Sequence, residues 1–469
     1  MAQLILLSFL VFAAWLIRRD IARREGVSAA IWIPTIWVAI LASRPVSMWL
    51  GSGGGIDPLE GSPLDGLIFF FLILAALAVL ARRRPGWSVV FSRNWPIFLF
   101  YAYFLISVIW SDSPIPSFKR WSKDFGNIFV ALVILTEANP EQAFRAVFNR
   151  CAYVLLPLSI IFIRYFPDMG RRYSQHSGAM EATGVTIQKN SLGALVLICG
   201  LVLLWDWLER SRPGEVRQDR AERYLPLGLF GIGAWLIYLS DSKTSLACLV
   251  AGGLIIAAAR LPYLRNRVGA LGVYVLVGAV GFYVANWMFG VSESLVSSMG
   301  RDMTFTGRTD VWNALLALKT DPIFGTGFCS IWSDQRYLAK LPDWVSHSAH
   351  NGYLETYLDG GWVGIFFLTV MLLAVGLRMN RQLLTGEIYA LVRFAVYVAT
   401  LIGNFSESHF GRMSPLGFMF LLVALERPAP AGVARAASND APAEEPAHRG
   451  ESLTSVRLTV DLSPGKTRW

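Results

Sequence analysis

The chain has few charged residues for its length. Only 16% of its 469 residues are Asp, Glu, Lys or Arg, whereas 54% are hydrophobic. Soluble domains usually carry about 25% charged residues. Apolar runs close to the roughly 20 residues needed to cross a bilayer recur along the sequence. This shortage of charge excludes an ordinary soluble protein and indicates a polytopic membrane protein.

The sequence also lacks the motifs of several classes of protein. No G-x-x-x-x-G-K-[ST] loop is present, which argues against ATP-driven transport by this chain. There is no G-x-S-x-G and no H-E-x-x-H, so neither a serine hydrolase nor a zincin is indicated. The four cysteines show no metal-binding spacing and no obvious disulfide pair. The net charge of +9 resides in arginine-rich loops between spans, so membrane topology explains it better than nucleic-acid binding does.

The apolar runs predict an all-α transmembrane helical bundle of about 12–13 spans. Placing the arginine-dense loops 18–24, 82–84, 209–223, 260–267 and 378–381 in the cytoplasm satisfies the positive-inside rule. The same alternation places the remaining connections outside: 111–124, 167–190, 241–245, 290–360 and 403–412. The predicted organisation is an N-terminal bundle (1–289), one long external loop (290–360), C-terminal transmembrane helices (361–427) and a disordered cytoplasmic tail (428–469).

Several cations fall on the predicted outer side, against the positive-inside rule. They include Arg120, Arg172, Lys189, Lys243 and Arg308. Each alone is consistent with a solvated or snorkelling side chain at the interface. As a set, with Lys189 and Lys243 close to the ends of spans, they favour a binding site for an anion.

The long external loop contains two polar, glycine-containing stretches. In the first, TGRTDVWNALLALKTDPIFGTGF (306–328), residues 309–319 are predicted to be helical, Asp321-Pro322 ends the helix, and Gly325 and Gly327 supply a turn. An amphipathic helix on the membrane surface would explain this stretch apart from Arg308. The second stretch, HSAHNGYLETYLDGGWVG (347–364), holds two of the five histidines.

His347, His350, Asn351 and Glu355 would lie broadly on one side of a helix, because steps of three and four residues return to the same face. A neutral histidine at an aqueous membrane face can act as a general base near pH 7. An interfacial histidine that only forms hydrogen bonds is the alternative interpretation. A histidine-bound metal is less well supported, since there is no H-E-x-x-H and no nearby cysteine pair.

These two stretches resemble the superfamily of O-antigen ligases and polysaccharide polymerases. The resemblance lies in Gly307-Arg308, Trp312, Pro322-Ile323-Phe324-Gly325-Thr326-Gly327, His350-Asn351-Gly352-Tyr353-Leu354, and then Gly361 and Gly364. Three further runs are similar to the exopolysaccharide-polymerase branch: WSDSPIPSFKRW (110–121), GVTIQKNSLG (184–193) and DSKTS (241–245). Ligases often have arginine where this chain has Lys243, which favours a polymerase and leaves open which anion contact Lys243 makes.

The resemblance implies a bundle similar to type C glycosyltransferases, located in the bacterial inner membrane, with the long loop in the periplasm. It implies transfer of a glycan from an undecaprenyl-diphosphate carrier to an acceptor hydroxyl, with no metal, cofactor or nucleotide sugar. His350, Arg308 and Glu355 are then the candidate catalytic residues, and direct attack would invert the anomeric centre. The candidate substrate-binding residues are Arg120, Arg172, Lys189, Asn190, Lys243, His347 and Asn351.

Three other functions remain open: an O-antigen ligase, a transporter and a non-catalytic scaffold. An O-antigen ligase would transfer the finished glycan to lipid A core or another acceptor. A flippase or other transporter of lipid-linked oligosaccharide would be expected to carry charges within its spans and broken helices in paired halves. The sequence has few such charges and no internal repeat, which favours an enzyme. Partners beyond the lipid-linked donor, the acceptor and the bilayer, such as other polysaccharide-assembly proteins, are not specified by the sequence.

Overall fold

The described part of the chain folds almost entirely into helices. The computed structural model describes residues 1–51, 62–173, 178–211, 220–258, 272, 308–342, 345, 348–384 and 388–427. Met1–Pro428 form one compact unit. The predicted disordered tail and the predicted cytoplasmic loop 260–267 lie outside the described residues, as does the apolar run at 268–289 apart from residue 272.

The helices are numbered here in chain order. They are α1 (Ala2–Arg23), α2 (Trp32–Leu41), α3 (Val46–Trp49), α4 (Pro63–Arg83), α5 (Trp87–Arg93), α6 (Trp95–Ser107), α7 (Pro114–Leu135), α8 (Pro140–Tyr165), α9 (Pro167–Gly170), α10 (Lys189–Arg210), α11 (Arg220–Ser240), α12 (Lys243–Ala258), α13 (Arg308–Leu316), α14 (Gln335–Leu338), α15 (Gly352–Leu384), α16 (Ile388–Gly403) and α17 (Pro415–Ala424). Two short strands, β1 (Arg171–Tyr173) and β2 (Met180–Ala182), pair antiparallel.

Among the described residues, four helices are long and apolar enough to cross a membrane: α4, α8, α10 and α15. A fifth span is possible if the bent pair Trp87–Arg93 and Trp95–Trp110 is counted as one. Shorter apolar helices lie at Ala29–Leu41, Lys243–Ala258, Tyr389–Gly403 and Pro415–Ala424. The all-α polytopic bundle is therefore confirmed, and the count of about 12–13 spans stays a prediction.

Helices α8 and α10 form the centre of the bundle. Of the 18-residue apolar stretch in each helix, 83% is buried inside the protein in α8 and 78% in α10, whereas only 11% is buried in α4. Phe144 and Phe148 of α8 and Trp205 of α10 are fully buried and belong to the main hydrophobic core. Helix α4 exposes Phe70 and Phe71, which a helix at the edge of the bundle can present to lipid.

The ends of the helices that carry the arginine-dense segments meet at one end of the bundle. There Asp20 of α1 accepts hydrogen bonds from Arg24 at 2.6 Å and from Arg150 of α8 at 2.9 Å. Asp206 of α10 accepts from Arg145 of α8, whose guanidinium lies 4.0 Å from the ring centroid of Trp205. Buried charges need such partners to be tolerated. We call this the arginine-rich end.

One predicted external connection, 111–124, is largely helical. Helix α7 begins at Pro114, and Pro114 and Pro116 both fall in its first turn, where a missing N–H loses no intrahelical bond. Ser117, Trp121 and Asp124 of this polar stretch are buried. The segment is amphipathic, and its inward face packs instead of lying in solvent.

Candidate functional site

The two glycine-containing stretches of the long loop pack directly against each other. Gly361 has a φ of +59° and kinks α15, and a Cβ there would lie 2.2 Å from the carbonyl oxygen of Ile323. The Gly327 amide donates to the carbonyl of Asp359, and the Val363 amide donates to the carbonyl of Ile323. The glycines of the Pro-x-x-Gly-x-Gly turn therefore serve close backbone packing.

The long loop has a small hydrophobic core of its own. Its buried members include Val311 and Leu315 of α13, Trp332, and Leu358 of α15. The indole Nε1 of Trp312 donates to the carbonyl of Ala349 at 2.8 Å. Helix α13, predicted at 309–319 and observed at Arg308–Leu316, thereby fixes the backbone immediately before His350.

His350 precedes α15 and is not part of it. Its φ is +48°, a left-handed conformation that a non-glycine residue seldom adopts. Asn351 caps α15, its Oδ1 accepting from the amides of Tyr353 and Leu354 at 3.0 and 3.1 Å. The prediction that His350, Asn351 and Glu355 share one side of a helix is thus wrong, because the helix begins only at Gly352. His347 lies outside the described residues.

One carboxylate, that of Glu407, joins three of the predicted site residues. Its Oε1 accepts from Arg308 Nη2 at 2.8 Å and from Asn190 Nδ2 at 2.7 Å. Its Oε2 lies 3.1 Å from His350 Nδ1. Glu407 belongs to the connection 403–412 between α16 and α17, and its backbone carbonyl accepts from the Gly352 amide. Glu407 is therefore in contact with residues that precede it by 57 positions (His350), 99 positions (Arg308) and 217 positions (Asn190).

Electrostatics keep Glu407 ionised. Burial alone would raise the pKa of its carboxyl, but the hydrogen bond and charge of His350, together with Arg308, lower that pKa overall. In the tautomer that donates Nδ1–H to this carboxylate, the imidazole lone pair is on Nε2. The arrangement supplies an imidazole that can accept a proton at Nε2 in this tautomer, a carboxylate that can stabilise the protonated ring, and a guanidinium on the same carboxylate.

Glu355 is buried, and its carboxylate holds other parts of the protein together. Its carboxylate accepts from the Ala349 amide at 2.7 Å, from Trp332 Nε1 at 2.9 Å and from Arg412 Nη2 at 2.8 Å. Arg412 also donates to Asp359 at 2.8 Å. It is Glu407, and not the predicted Glu355, whose carboxylate contacts the His350 ring.

The other predicted cations have partners of their own. Lys189 pairs with Glu181 and Lys243 with Asp241, each at 2.8 Å. Arg172 is exposed on β1, in register with Glu181. Arg120 donates to the Cys329 carbonyl and to Ser333 Oγ. Of the predicted set, the structure brings Arg308, Asn190 and His350 together on one carboxylate, with Asn351 adjacent in sequence.

Sequence reasoning missed Glu407, which shares its connection with His409. His409 is buried, and its Nδ1 lies 3.0 Å from Ser414 Oγ. The signal that could have found Glu407 is the run SESH (406–409), an acid and a histidine in a short connection on the predicted outer side. Within the described ranges, no three His, Cys, Asp or Glu side chains are grouped so that they could hold a metal ion.

The chain is similar to known proteins over a region that contains part of this site. Residues 227–369 match the family model described as O-antigen ligase. That range includes Arg308 and His350, whereas Asn190 and Glu407 lie on either side of it. The chain is also 24% identical over 306 residues to the exopolysaccharide production protein ExoQ of Rhizobium meliloti (strain 1021). The alignment covers 62% of this chain and 66% of that relative, just under two thirds of the relative's length.

Proposed function

We propose that this chain, a member of the superfamily of O-antigen ligases and polysaccharide polymerases, polymerises lipid-linked oligosaccharide repeats at the outer face of the bacterial inner membrane. The donor is an undecaprenyl-diphosphate-linked glycan, and the acceptor is a hydroxyl of a second repeat. The observation that carries the proposal is the contact of Glu407 with His350 and Arg308. It joins a base to a group that can bind phosphate.

The proposed reaction is one displacement at the anomeric carbon of the donor sugar. The acceptor oxygen forms a bond to that carbon while the bond from the carbon to the phosphate oxygen breaks. The electron pair leaves with the diphosphate, and the acceptor proton passes to Nε2 of His350. Glu407 stabilises the resulting imidazolium through Nδ1–H. Attack opposite the leaving group inverts the anomeric centre.

Arg308 is proposed to stabilise the charge that develops on the leaving diphosphate. A guanidinium has five N–H donors, and the bond to Glu407 uses a single nitrogen, Nη2. Arg308 can therefore bind the diphosphate while Glu407 stays in place. Because the donor already carries its leaving group, the reaction needs no ATP, and fixed cations can act where other transferases use a divalent metal. Lys189 and Lys243 are candidates for further contacts to the substrate.

Deleting the gene and analysing the glycan separates the polymerase from its alternatives. A polymerase leaves single repeats on the lipid carrier at the outer face. A ligase leaves full-length chains on the carrier. A flippase leaves single repeats as well, but on the cytoplasmic leaflet, where externally added glycosidase cannot reach them in spheroplasts. Either of the last two outcomes would overturn the proposed reaction.

The base is tested in a reconstituted transfer assay with the purified full-length chain. We expect His350→Gln to lower turnover by about 100- to 10,000-fold, the usual contribution of a general base. His347→Gln serves as the matched control and should change turnover much less. Activity should fall in acid, since a protonated imidazole cannot accept the proton, and EDTA should have no effect. Full turnover in His350→Gln, or inhibition by EDTA, would show that the base is assigned wrongly.

A further inference from the structure

A pocket of about 170 Å³, partly open to solvent, lies on the Asn190 side of Glu407. Helices α10, α12, α16 and α17 and the connection 403–412 form its walls. Its polar lining residues are Gln188, Asn190, Ser191, Thr244, Ser245, Glu407, Ser408, His409 and Ser414.

The lining offers hydrogen bonds with little charge. Among the described residues that form the pocket there is no Lys or Arg, and the single acid, Glu407, is already paired with Arg308 and His350. Hydroxyl groups dominate, and each can donate once and accept twice. Thr244 Oγ1 and Ser406 Oγ lie 2.6 Å apart, and Ser242 Oγ donates to Ser245 Oγ at 3.0 Å, so part of this capacity is used within the wall and part remains.

His409 also presents an uncharged ring to this pocket. Burial lowers the pKa of its imidazole to about 4, and the nearby Glu407 carboxylate only partly offsets that effect. At neutral pH the ring therefore carries no charge. A diphosphate would find no cation here and would meet a carboxylate, whereas a hydroxyl-rich neutral group would find donors and acceptors on several sides.

We infer that this pocket is a subsite for an uncharged sugar residue of the glycan, next to the bond that reacts. The inference rests on the proposed function for its substrate and extends it, because it separates the place of the sugar from the place of the diphosphate. The diphosphate belongs on the Arg308 side of Glu407, and the sugar on the Asn190 side.

Ser191 is suited to a direct test, since it is half-buried in the first turn of α10 and lines the pocket. A Ser191→Cys variant of the full-length chain is treated with a small thiol reagent. Three probes are compared: the glycan released by mild acid from carrier accumulated in a deletion strain, undecaprenyl diphosphate without sugar, and inorganic pyrophosphate. The parent chain, whose four cysteines are all buried, gives the background.

The released glycan should slow modification of the cysteine at position 191 at least several-fold, and the two sugar-free diphosphates should not. Equal protection by pyrophosphate or by undecaprenyl diphosphate would mean that the pocket receives the diphosphate, which overturns the inference. Absence of protection by any probe, or labelling no faster than in the parent, would also overturn it. Binding is measured without turnover, so protection by the glycan in a chain that makes no polymer would refute the proposed reaction and leave the subsite standing.

A kinetic test is independent of labelling. Ser191→Ala should raise KM for the lipid-linked substrate about 2- to 10-fold, as expected for one lost hydrogen bond, with kcat little changed. Ser122→Ala is the matched control, because Ser122 lies on α7 and its hydroxyl donates within its own helix to the Phe118 carbonyl. An unchanged KM in Ser191→Ala, or equal effects in the two variants, would contradict the subsite.

Discussion

Three donors from distant parts of the chain meet on the carboxylate of Glu407. Replacing it with glutamine keeps the shape but removes the charge, and an amide nitrogen cannot accept from a donor. We expect Glu407→Gln to lower turnover on the order of 100-fold or more, because the imidazole tautomer is no longer fixed and the imidazolium loses its counter-charge. The acid limb of the pH–rate profile should move to lower pH for the same reason.

Among the described residues, Arg308 and the titratable ring of His409 act on the Glu407 carboxylate, and Arg412 pairs with Glu355 and Asp359. A purely structural role for Glu407 would lower the amount of folded protein without moving the pH profile. Glu141→Gln is the matched control, since it removes a carboxylate that is 43% exposed at the arginine-rich end. A Glu407→Gln enzyme with an unshifted profile would rule out the positioning role.

His409 predicts how stability depends on pH. Burial lowers the pKa of its imidazole from 6.5 to about 4, so the unfolded chain takes up a proton at a pH where the folded chain does not. Its contribution is therefore lost as pH falls from about 6.5 towards 4, by up to roughly 1.4 kcal/mol per pH unit. Thermal unfolding of the detergent-solubilised chain should show this loss, and His409→Gln should flatten the curve in that window. An equally steep curve in the variant would exclude His409 as its source.

At the scale of elements, the Pro-x-x-Gly-x-Gly turn packs against the kink of α15 so closely that there is no space for a side chain at Gly361. Gly361→Ala should destabilise the protein by about 2–4 kcal/mol, because it combines a left-handed backbone with a collision against the Ile323 carbonyl. Gly51→Ala is the matched control that carries only the backbone strain. Gly51 also has a left-handed φ of +70°, but its added Cβ would meet nothing within 4 Å. Equal unfolding temperatures for the two variants would show that the collision contributes nothing.

The helical elements could be predicted from sequence more fully than the site. Apolar runs at 191–208 and 65–81 correspond to α10 (Lys189–Arg210) and α4 (Pro63–Arg83) within a few residues, since burial in a bilayer fixes length and composition. The polar residues 114–124 were predicted to form an external connection because they are polar, whereas they form the amphipathic first part of α7. The start of α15 was placed too early, because the left-handed backbone at His350 leaves no pattern in the sequence.

The site itself was predicted in part. Asn190, Arg308 and His350 were among the candidates, and the structure places them on one carboxylate. The carboxylate was missed because Glu407 is 57 residues from His350, in a connection whose position depends on how α16 and α17 pack. The pattern of apolar residues within one segment does not predict a contact between two distant segments. Whether these residues act as proposed remains a prediction.

At the scale of the whole molecule, sidedness is a prediction from the arginine-dense loops. Lys340 is exposed in the long loop, and Arg82 is exposed near the arginine-rich end of α4. In spheroplasts, Lys340→Cys should react with an impermeant thiol reagent, and Arg82→Cys should react only after lysis. The native cysteines are buried and give little background. The reverse pattern would place His350 in the cytoplasm and remove the basis for a reaction at the outer face.

The charge network of the arginine-rich end has a consequence for biogenesis. Asp20 leaves the ribosome about 130 residues before Arg150, its buried partner, so α1 is synthesised with part of its charge uncompensated. Helix α1 packs against α8, and we expect it to be exposed to membrane quality control until α8 has been synthesised. In a pulse–chase experiment, a nascent chain released before Pro140 should therefore be degraded faster than one released after Arg210.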